Sequence, residues 1–178
     1  MERTNIFGKS LPELETEFTA GGLERYRAKQ VFYWLYSQGV ETFEEMTNLS
    51  KGLRAKLAEV FAIQHPVVVK EQRSGDGTRK FLLALEDGAR IETVLIRSES
   101  EDEGVPKRLT LCVSTQVGCP LGCLFCATAT MKRRRNLSAG EIAGQYLVVR
   151  ALVEQRLDRG DTAALAAAEG QHEQARDD

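Results

Sequence analysis

The sequence predicts an α+β chain in which a small helical bundle and an antiparallel meander precede a single strand–loop–helix unit. Three observations carry that expectation. Apolar residues recur at helical spacing as far as Phe61, behind side chains suited to helix starts. Past Pro66 they gather into short runs rich in β-branched residues, separated by Ser74-Gly-Asp-Gly77 and Glu86-Asp-Gly88. A last strand then enters a segment that holds all four cysteines, and a capped helix follows it.

Taken in order, Ser10-Leu-Pro-Glu13 is a capping box with proline in the first turn, and Gly21-Gly22 stops the helix it opens. A second helix is expected from Tyr26 to Ser37, with Ala28, Val31, Trp34 and Leu35 on one face and Gln38-Gly39 as punctuation. Thr42-Phe-Glu-Glu45 and Ser50 offer two more N-caps, and Leu53, Leu57, Val60 and Phe61 form the stripe of a third long helix. Val67 to Gln72, Arg79 to Leu85 and Arg90 to Ile96 read as the strands of the meander. Ser98 to Gly104 is an acidic connection with no core role. Leu109 to Ser114 is a further strand. Ser138-Ala-Gly-Glu141 caps a helix carrying Ile142, Tyr146, Leu147, Val149 and Val153. The expected domains are a helical one over 1–63, the meander and acidic connection over 64–104, the strand–loop–helix unit over 105–155, and a polar, alanine-rich tail over 156–178.

Composition narrows the function classes. A 178-residue chain with 42% hydrophobic residues can bury a core. The N-terminal residues lack an apolar signal core and no long apolar run occurs, so secretion and membrane spanning are not expected and the cytoplasm is the default location. A net charge of −2 argues against binding nucleic acid by bulk electrostatics. Positive charge is instead concentrated in Lys132-Arg133-Arg134-Arg135, close behind Cys126, where phosphate contact competes with the plainer reading of a solvated face.

The cysteines carry the chemistry. Cys119, Cys123 and Cys126 stand in GCPLGCLFCAT with the spacing C-x-x-x-C-x-x-C. Crowded cysteines without an export signal read as reduced metal ligands rather than disulfides. Iron–sulfur clusters ordinarily take four cysteines. A three-cysteine set therefore points to a cubane with one iron kept open for an outside ligand. A tetrahedral zinc site on Cys112, Cys119, Cys123 and Cys126 is the competing metal reading. A stand-alone RNA-binding fragment built on the first two domains is the third.

Several further segments occur in order: YRAKQVFYWLY, TFEEMTNLSKGLRAKL, VVKEQRSGDGTRKFLLAL, IETVLI, TLCVSTQVGC and RNLSAGEIAGQ. Over Tyr26 to Gly144 they resemble the N-terminal half of the RlmN family, the radical SAM methyltransferases that modify carbon 2 of adenine in 23S ribosomal RNA and in transfer RNA. The resemblance implies that the strand–loop–helix unit begins a partial (β/α)6 barrel. It also implies a [4Fe-4S] cluster on Cys119, Cys123 and Cys126, S-adenosylmethionine as cofactor, and an electron donor for the cluster. Carbon 2 of adenine is electron-poor and has no lone pair, so polar methyl transfer fails and the cofactors must supply a radical.

By the same resemblance, Phe125 packs near the cofactor's adenine and Glu92 accepts the carbon-2 proton. Cys112 matches a catalytic cysteine outside the cluster, which resolves a protein–RNA bond by forming a disulfide with a second cysteine near the family's C-terminus. From residue type and position alone, Glu92 reads as an outward-facing strand residue, Cys112 as a small buried hydrophobe and Phe125 as a buried loop residue. The chain departs from the family where CATATMKRRRNL replaces a glycine-containing stretch, which restricts the backbone beside the cofactor. The family's glycine-rich cofactor segment, later barrel strands and methyl-carrying cysteine have no counterpart in 145–178. The expectation is a fragment, inactive alone, arising from a truncated reading frame, a split gene or deliberate shortening; in the split case a partner chain would carry the missing C-terminal half.

Overall fold

The computed structural model describes residues 3–98, 108–121, 123–131 and 134–158. The acidic connection beyond Ser98, the 104/105 boundary, Lys132 and Arg133, and most of the polar tail lie outside the described residues. Two compact units are present: residues 1–65 with 138–143, and residues 66–137 with 144–178.

The first unit begins with β1 (Thr4–Asn5). Helix α1 (Leu11–Ala20) follows its Ser10/Glu13 capping box. Helix α2 (Arg25–Tyr33) continues into a wider π-helical turn over Trp34–Gln38, closed by Gly39 at φ 68°. The left-handed backbone there is one that glycine adopts without the strain of a Cβ. Ala28, Val31 and Leu35 are fully buried. Trp34 stays at the margin, where its indole Nε1 donates to Asn48 Oδ1 at 2.6 Å.

Thr42 and Glu45 close a second capping box on a single 3₁₀ turn, Phe43–Glu45, which buries Phe43. Ser50 then caps α3 (Lys51–Val60), its side chain accepting from the Leu53 N–H. The helix is one residue shorter than the stripe implied, and its end differs from expectation. Val60 is 57% exposed, and Phe61 leaves the helix to form β2 (Phe61–Ala62), parallel to β1. An extended conformation at Phe61 lets its ring stack on Phe18 at 6.1 Å. Ile6, Leu14, Phe18, Met46 and Leu57 complete the core.

The first residues of the last helix, α4 (Ala139–Asp158), close this unit. Gly8, at φ 101°, meets Gly140 backbone to backbone. A Cβ built on Gly140 would lie 2.7 Å from the Gly8 Cα. The Tyr36 hydroxyl pins the turn by accepting from the Gly8 N–H at 2.9 Å and donating to the Lys9 carbonyl at 3.0 Å.

The second unit is built on one antiparallel sheet in the order β3 (Val67–Arg73), β4 (Arg79–Ala84), β5 (Arg90–Ser98), β6 (Arg108–Cys112). The two tight turns fall where Gly77 and Gly88 adopt positive φ. The first three strands form the expected meander. The fourth differs: the strand expected to open a parallel unit pairs antiparallel with β5, Cys112 opposite Val94. Its physical reason is the free edge of β5, whose Leu95 and Ile96 match the alternation of Leu111 and Thr110. The meander and the strand before the cysteines are therefore one sheet. Among the described residues, the (β/α)6 barrel itself is not formed.

One face of this sheet is the core, with Phe81, Leu83, Ile91, Thr93 and Leu95 buried. Arg79 is also on this face, nearly buried, and lies 4.8 Å over the Phe81 ring. Its Nε bonds Glu71 at 2.8 Å, and Arg73 bonds the same oxygen at 2.7 Å. The Arg79 hydrogen bond, seconded by Arg73, holds the Glu71 carboxyl below its ordinary value against the opposing effect of burial. A carboxylate depressed in the folded state contributes stability above the unfolded glutamate pKa, and that contribution is lost as pH falls through the folded value. Urea midpoints should therefore fall below about pH 4. The Glu71→Gln variant should have a flatter profile in that window, and profiles of equal slope would remove Glu71 as a cause.

Candidate active site

Alternation along the strands places the sequence-predicted catalytic pair together. Side chains two apart on a strand share a face, and directly paired residues share it too. Glu92 is two residues from Val94, and Val94 is paired with Cys112, so Glu92 and Cys112 are diagonal neighbours on the outer face. Both are exposed, as the strand pattern implied for Glu92. The reading of Cys112 as a buried hydrophobe does not hold: the thiol is accessible.

Lys80, paired with Val94 from the other side, reaches Glu92 Oε1 at 3.0 Å. Both partners are well exposed, so the ion pair supplies orientation more than stability. The face therefore presents a carboxylate, an ammonium and a thiol, with Val94 between Lys80 and Cys112 and Leu82 opposite Glu92.

The cysteine segment leaves this sheet through Val113–Thr115. Strand β7 (Gln116–Val117) pairs antiparallel with β8 (Arg135–Asn136), and the Leu137 N–H donates to the Thr115 carbonyl at 2.9 Å. Buried Val117 and Leu137 anchor this neck. The described residues between β7 and β8 are thus part of a loop tied at its base, and they include Cys119, Cys123 and Cys126.

Along the loop, Cys119, Cys123 and Cys126 are half-buried and free. Among the described residues, no three His, Cys, Asp or Glu side chains stand close enough to hold a metal. This applies equally to the three-cysteine set and to the four-cysteine zinc reading. Cys126 has backbone donors beside its thiol. It precedes a 3₁₀ turn, Ala127–Thr130, and hydrogen bonds from the Ala129 and then the Thr128 backbone N–H hold its thiol below the ordinary value. Thiolate is the ligating form. Between the cysteines, Leu121 is 80% exposed, Leu124 104% and Phe125 94%. Phe125 is thus not the buried loop residue that is the plainer reading. Three large apolar side chains on one loop form the kind of surface that marks a binding site.

Of the basic run, Arg134 and Arg135 are among the described residues. Arg134 donates to the Ala129 carbonyl at 3.1 Å, and Arg135 is paired with Asp87 at 2.9 Å. Sequence reasoning missed the polar residues beneath the site. Gln145 and Thr93 are fully buried, and Gln145 bonds both Thr93 and the backbone of Ser114. The available signal was an amide within the apolar stretch IAGQYLVV. On the stripe expected of α4, Leu147 and Val149 are buried while Tyr146 is 52% exposed.

Comparison with known proteins sets this site in context. Residues 4–63 match the family model of the ribosomal RNA large subunit methyltransferase N-terminal domain. The dual-specificity RNA methyltransferase RlmN of Nitratidesulfovibrio vulgaris strain DP4 is 51% identical over 149 residues, which is 83% of this chain and 40% of that protein. The RlmN of Acidiphilium cryptum strain JF-5 is 44% identical over 92% of this chain and 41% of its own length. A crystal structure of a radical SAM methyltransferase from Sphaerobacter thermophilus superposes with a TM-score of 0.68 at 39% identity, covering 88% of this chain and 43% of that one. Over most of its length the chain therefore matches the RlmN family of methyltransferases, and it spans about two fifths of the length of the curated relatives it matches.

Proposed function

We propose that this chain is the cluster-bearing N-terminal portion of a radical SAM RNA methyltransferase acting on carbon 2 of adenine in 23S ribosomal and transfer RNA. The single observation that carries the reading is the arrangement of the second unit. A tied loop with three cysteines, one biased toward thiolate, rises from the strand whose end presents Cys112 beside Glu92.

In this reading Cys119, Cys123 and Cys126 would hold three irons of a [4Fe-4S] cluster once the loop draws their thiols together, since their number and spacing on one short loop suit that group although their positions among the described residues do not yet form a metal site. The cluster, reduced by an electron donor, and S-adenosylmethionine supply the radical chemistry that an electron-poor carbon requires. Phe125, with Leu121 and Leu124, offers an adenine face an exposed apolar surface on which to pack. Glu92 accepts the carbon-2 proton as aromaticity returns, oriented by Lys80. Cys112, accessible on the same face, supplies the thiol that resolves the protein–RNA bond. No helix among the described residues is long and apolar enough to cross a membrane, in keeping with an RNA substrate.

Anaerobic reconstitution with ferrous iron and sulfide tests the reading. The expected product binds about four irons per chain, with a broad sulfide-to-iron charge-transfer band that shifts when S-adenosylmethionine is added. One zinc per chain and no iron would replace it with the zinc-module reading.

A further inference from the structure

We infer that Gln145 is a positioning residue, a buried clasp that sets the register between the strand carrying Glu92 and the strand carrying Cys112 where the cysteine loop begins. The inference rests on the catalytic reading of Glu92 and Cys112 given above.

The clasp is built from a single amide. Gln145 Oε1 accepts from the Ser114 N–H at 2.8 Å, and its Nε2 donates to the Ser114 carbonyl at 2.8 Å. Both backbone groups of one residue are thus satisfied by one side chain, which fixes the orientation of the amide. Thr93 Oγ1 donates to the same Oε1 at 2.6 Å. Gln145 and Thr93 are both completely buried.

What the clasp holds matters more than its own bonds. Val94 faces Cys112 across the ladder, so continuing the antiparallel register brings Ser114 opposite Glu92. There Ser114 Oγ donates to the Glu92 carbonyl at 2.7 Å. Strand β6 ends at Cys112, and ordinary ladder bonds end with it. Without a further tie, the next two residues would be held to β5 by the Ser114 hydroxyl alone. Gln145 reinforces that tie by satisfying both backbone groups of Ser114 while bonded to Thr93 of β5. Thr93, between Glu92 and Val94, ties the same amide to β5. The outer-face geometry of Glu92 and Cys112 is thus fixed from the inner face. The inner-face charges Glu71 and Arg79 are bonded to each other.

The amide also predicts an isostere that can be switched. A protonated glutamate can still accept from Thr93 and the Ser114 N–H while donating to the Ser114 carbonyl; a carboxylate has no proton for that carbonyl. Burial raises such a carboxyl above the ordinary glutamate value.

The test is residue-resolved hydrogen exchange and side-chain NMR on this chain with Gln145→Leu and Gln145→Glu. In the leucine variant, the Ser114 and Thr115 amides should lose protection about tenfold or more beyond any loss at Phe81 and Leu83, the result expected when buried backbone groups lose their partner. The Glu92 carboxyl and Cys112 methylene signals should move or double while Ile91 on the other face does not. The glutamate variant should keep wild-type protection at acidic pH and lose it as pH rises, and it carries the test alone if the leucine variant does not fold. Uniform loss across the sheet, unmoved Glu92 and Cys112 signals, or a pH-independent glutamate variant would each overturn the inference. If instead Glu92 or Cys112 has no part in catalysis, substituting them in a full-length relative would leave methylation intact without altering these results.

Discussion

Substituting Gly140 with alanine is expected to destabilise the first unit by about 1–3 kcal/mol, although the same change in an open helix is favourable. Two effects compete. Alanine is preferred to glycine in a helix by about 1 kcal/mol because it loses less backbone entropy. Against this, a Cβ at Gly140 would stand 2.7 Å from the Gly8 Cα, 3.1 Å from the Phe7 carbonyl oxygen and 3.2 Å from the Gly8 nitrogen. All three are backbone atoms, so no side-chain rotation relieves the overlap. Gly8 cannot yield easily, because its φ of 101° and its hydrogen bond to Tyr36 fix the turn. The overlap therefore wins. Gly52 in α3 is the internal control: nothing lies within 4 Å of a Cβ there, so Gly52→Ala should be neutral or stabilising by up to about 1 kcal/mol. Urea unfolding of the two variants checks the pair. A Gly140→Ala protein as stable as the wild type would show that the two backbone segments can separate without cost.

Local signals were legible where they act over a few residues. Each of the capping boxes at Ser10/Glu13, Thr42/Glu45 and Ser138/Glu141 is made, because cap and partner lie three residues apart and need no tertiary context. The meander turns were legible for the same reason: Gly77 and Gly88 supply the positive φ that those turns require. Pairings between distant segments were not. Two-residue strands such as β1 and β2 have no periodicity to read, so α3 was expected to run through Phe61. The alternation of Leu109 to Cys112 identifies a strand without naming its neighbour, and the antiparallel edge of β5 decided that. At the site, type and spacing brought out the three loop cysteines, whereas Glu92 and Cys112 were singled out by the family resemblance, since neither residue type nor strand position distinguishes them. Lys80 and Gln145 act through geometry alone. A glutamine one position from the expected stripe on α4 differs from a surface glutamine only in what it meets across the fold.

Replacing Cys126 with alanine is expected to abolish iron–sulfur assembly, while replacing Cys112 leaves it intact. The prediction follows from two different environments. Cys126 follows the Cys123 turn, its N–H donating to the Cys123 carbonyl at 3.1 Å, and its sulfur receives the Ala129 and Thr128 N–H groups that favour thiolate. Removing it leaves two thiols on a loop whose neck at β7 and β8 limits recruitment of a substitute. Two ligands do not hold a cubane that normally requires three or four. Cys112 belongs to the end of β6, with its position set by the ladder to Val94 rather than by the loop. Its loss removes an outer-face thiol and no ligand. Iron and sulfide analysis after anaerobic reconstitution should therefore give near-wild-type loading for Cys112→Ala and background loading for Cys126→Ala. A tetrahedral zinc centre would respond differently, losing affinity with either substitution because it counts all four cysteines. Equal sensitivity at positions 112 and 126 would thus reject the three-thiolate assignment and move Cys112 from the catalytic face into the metal site.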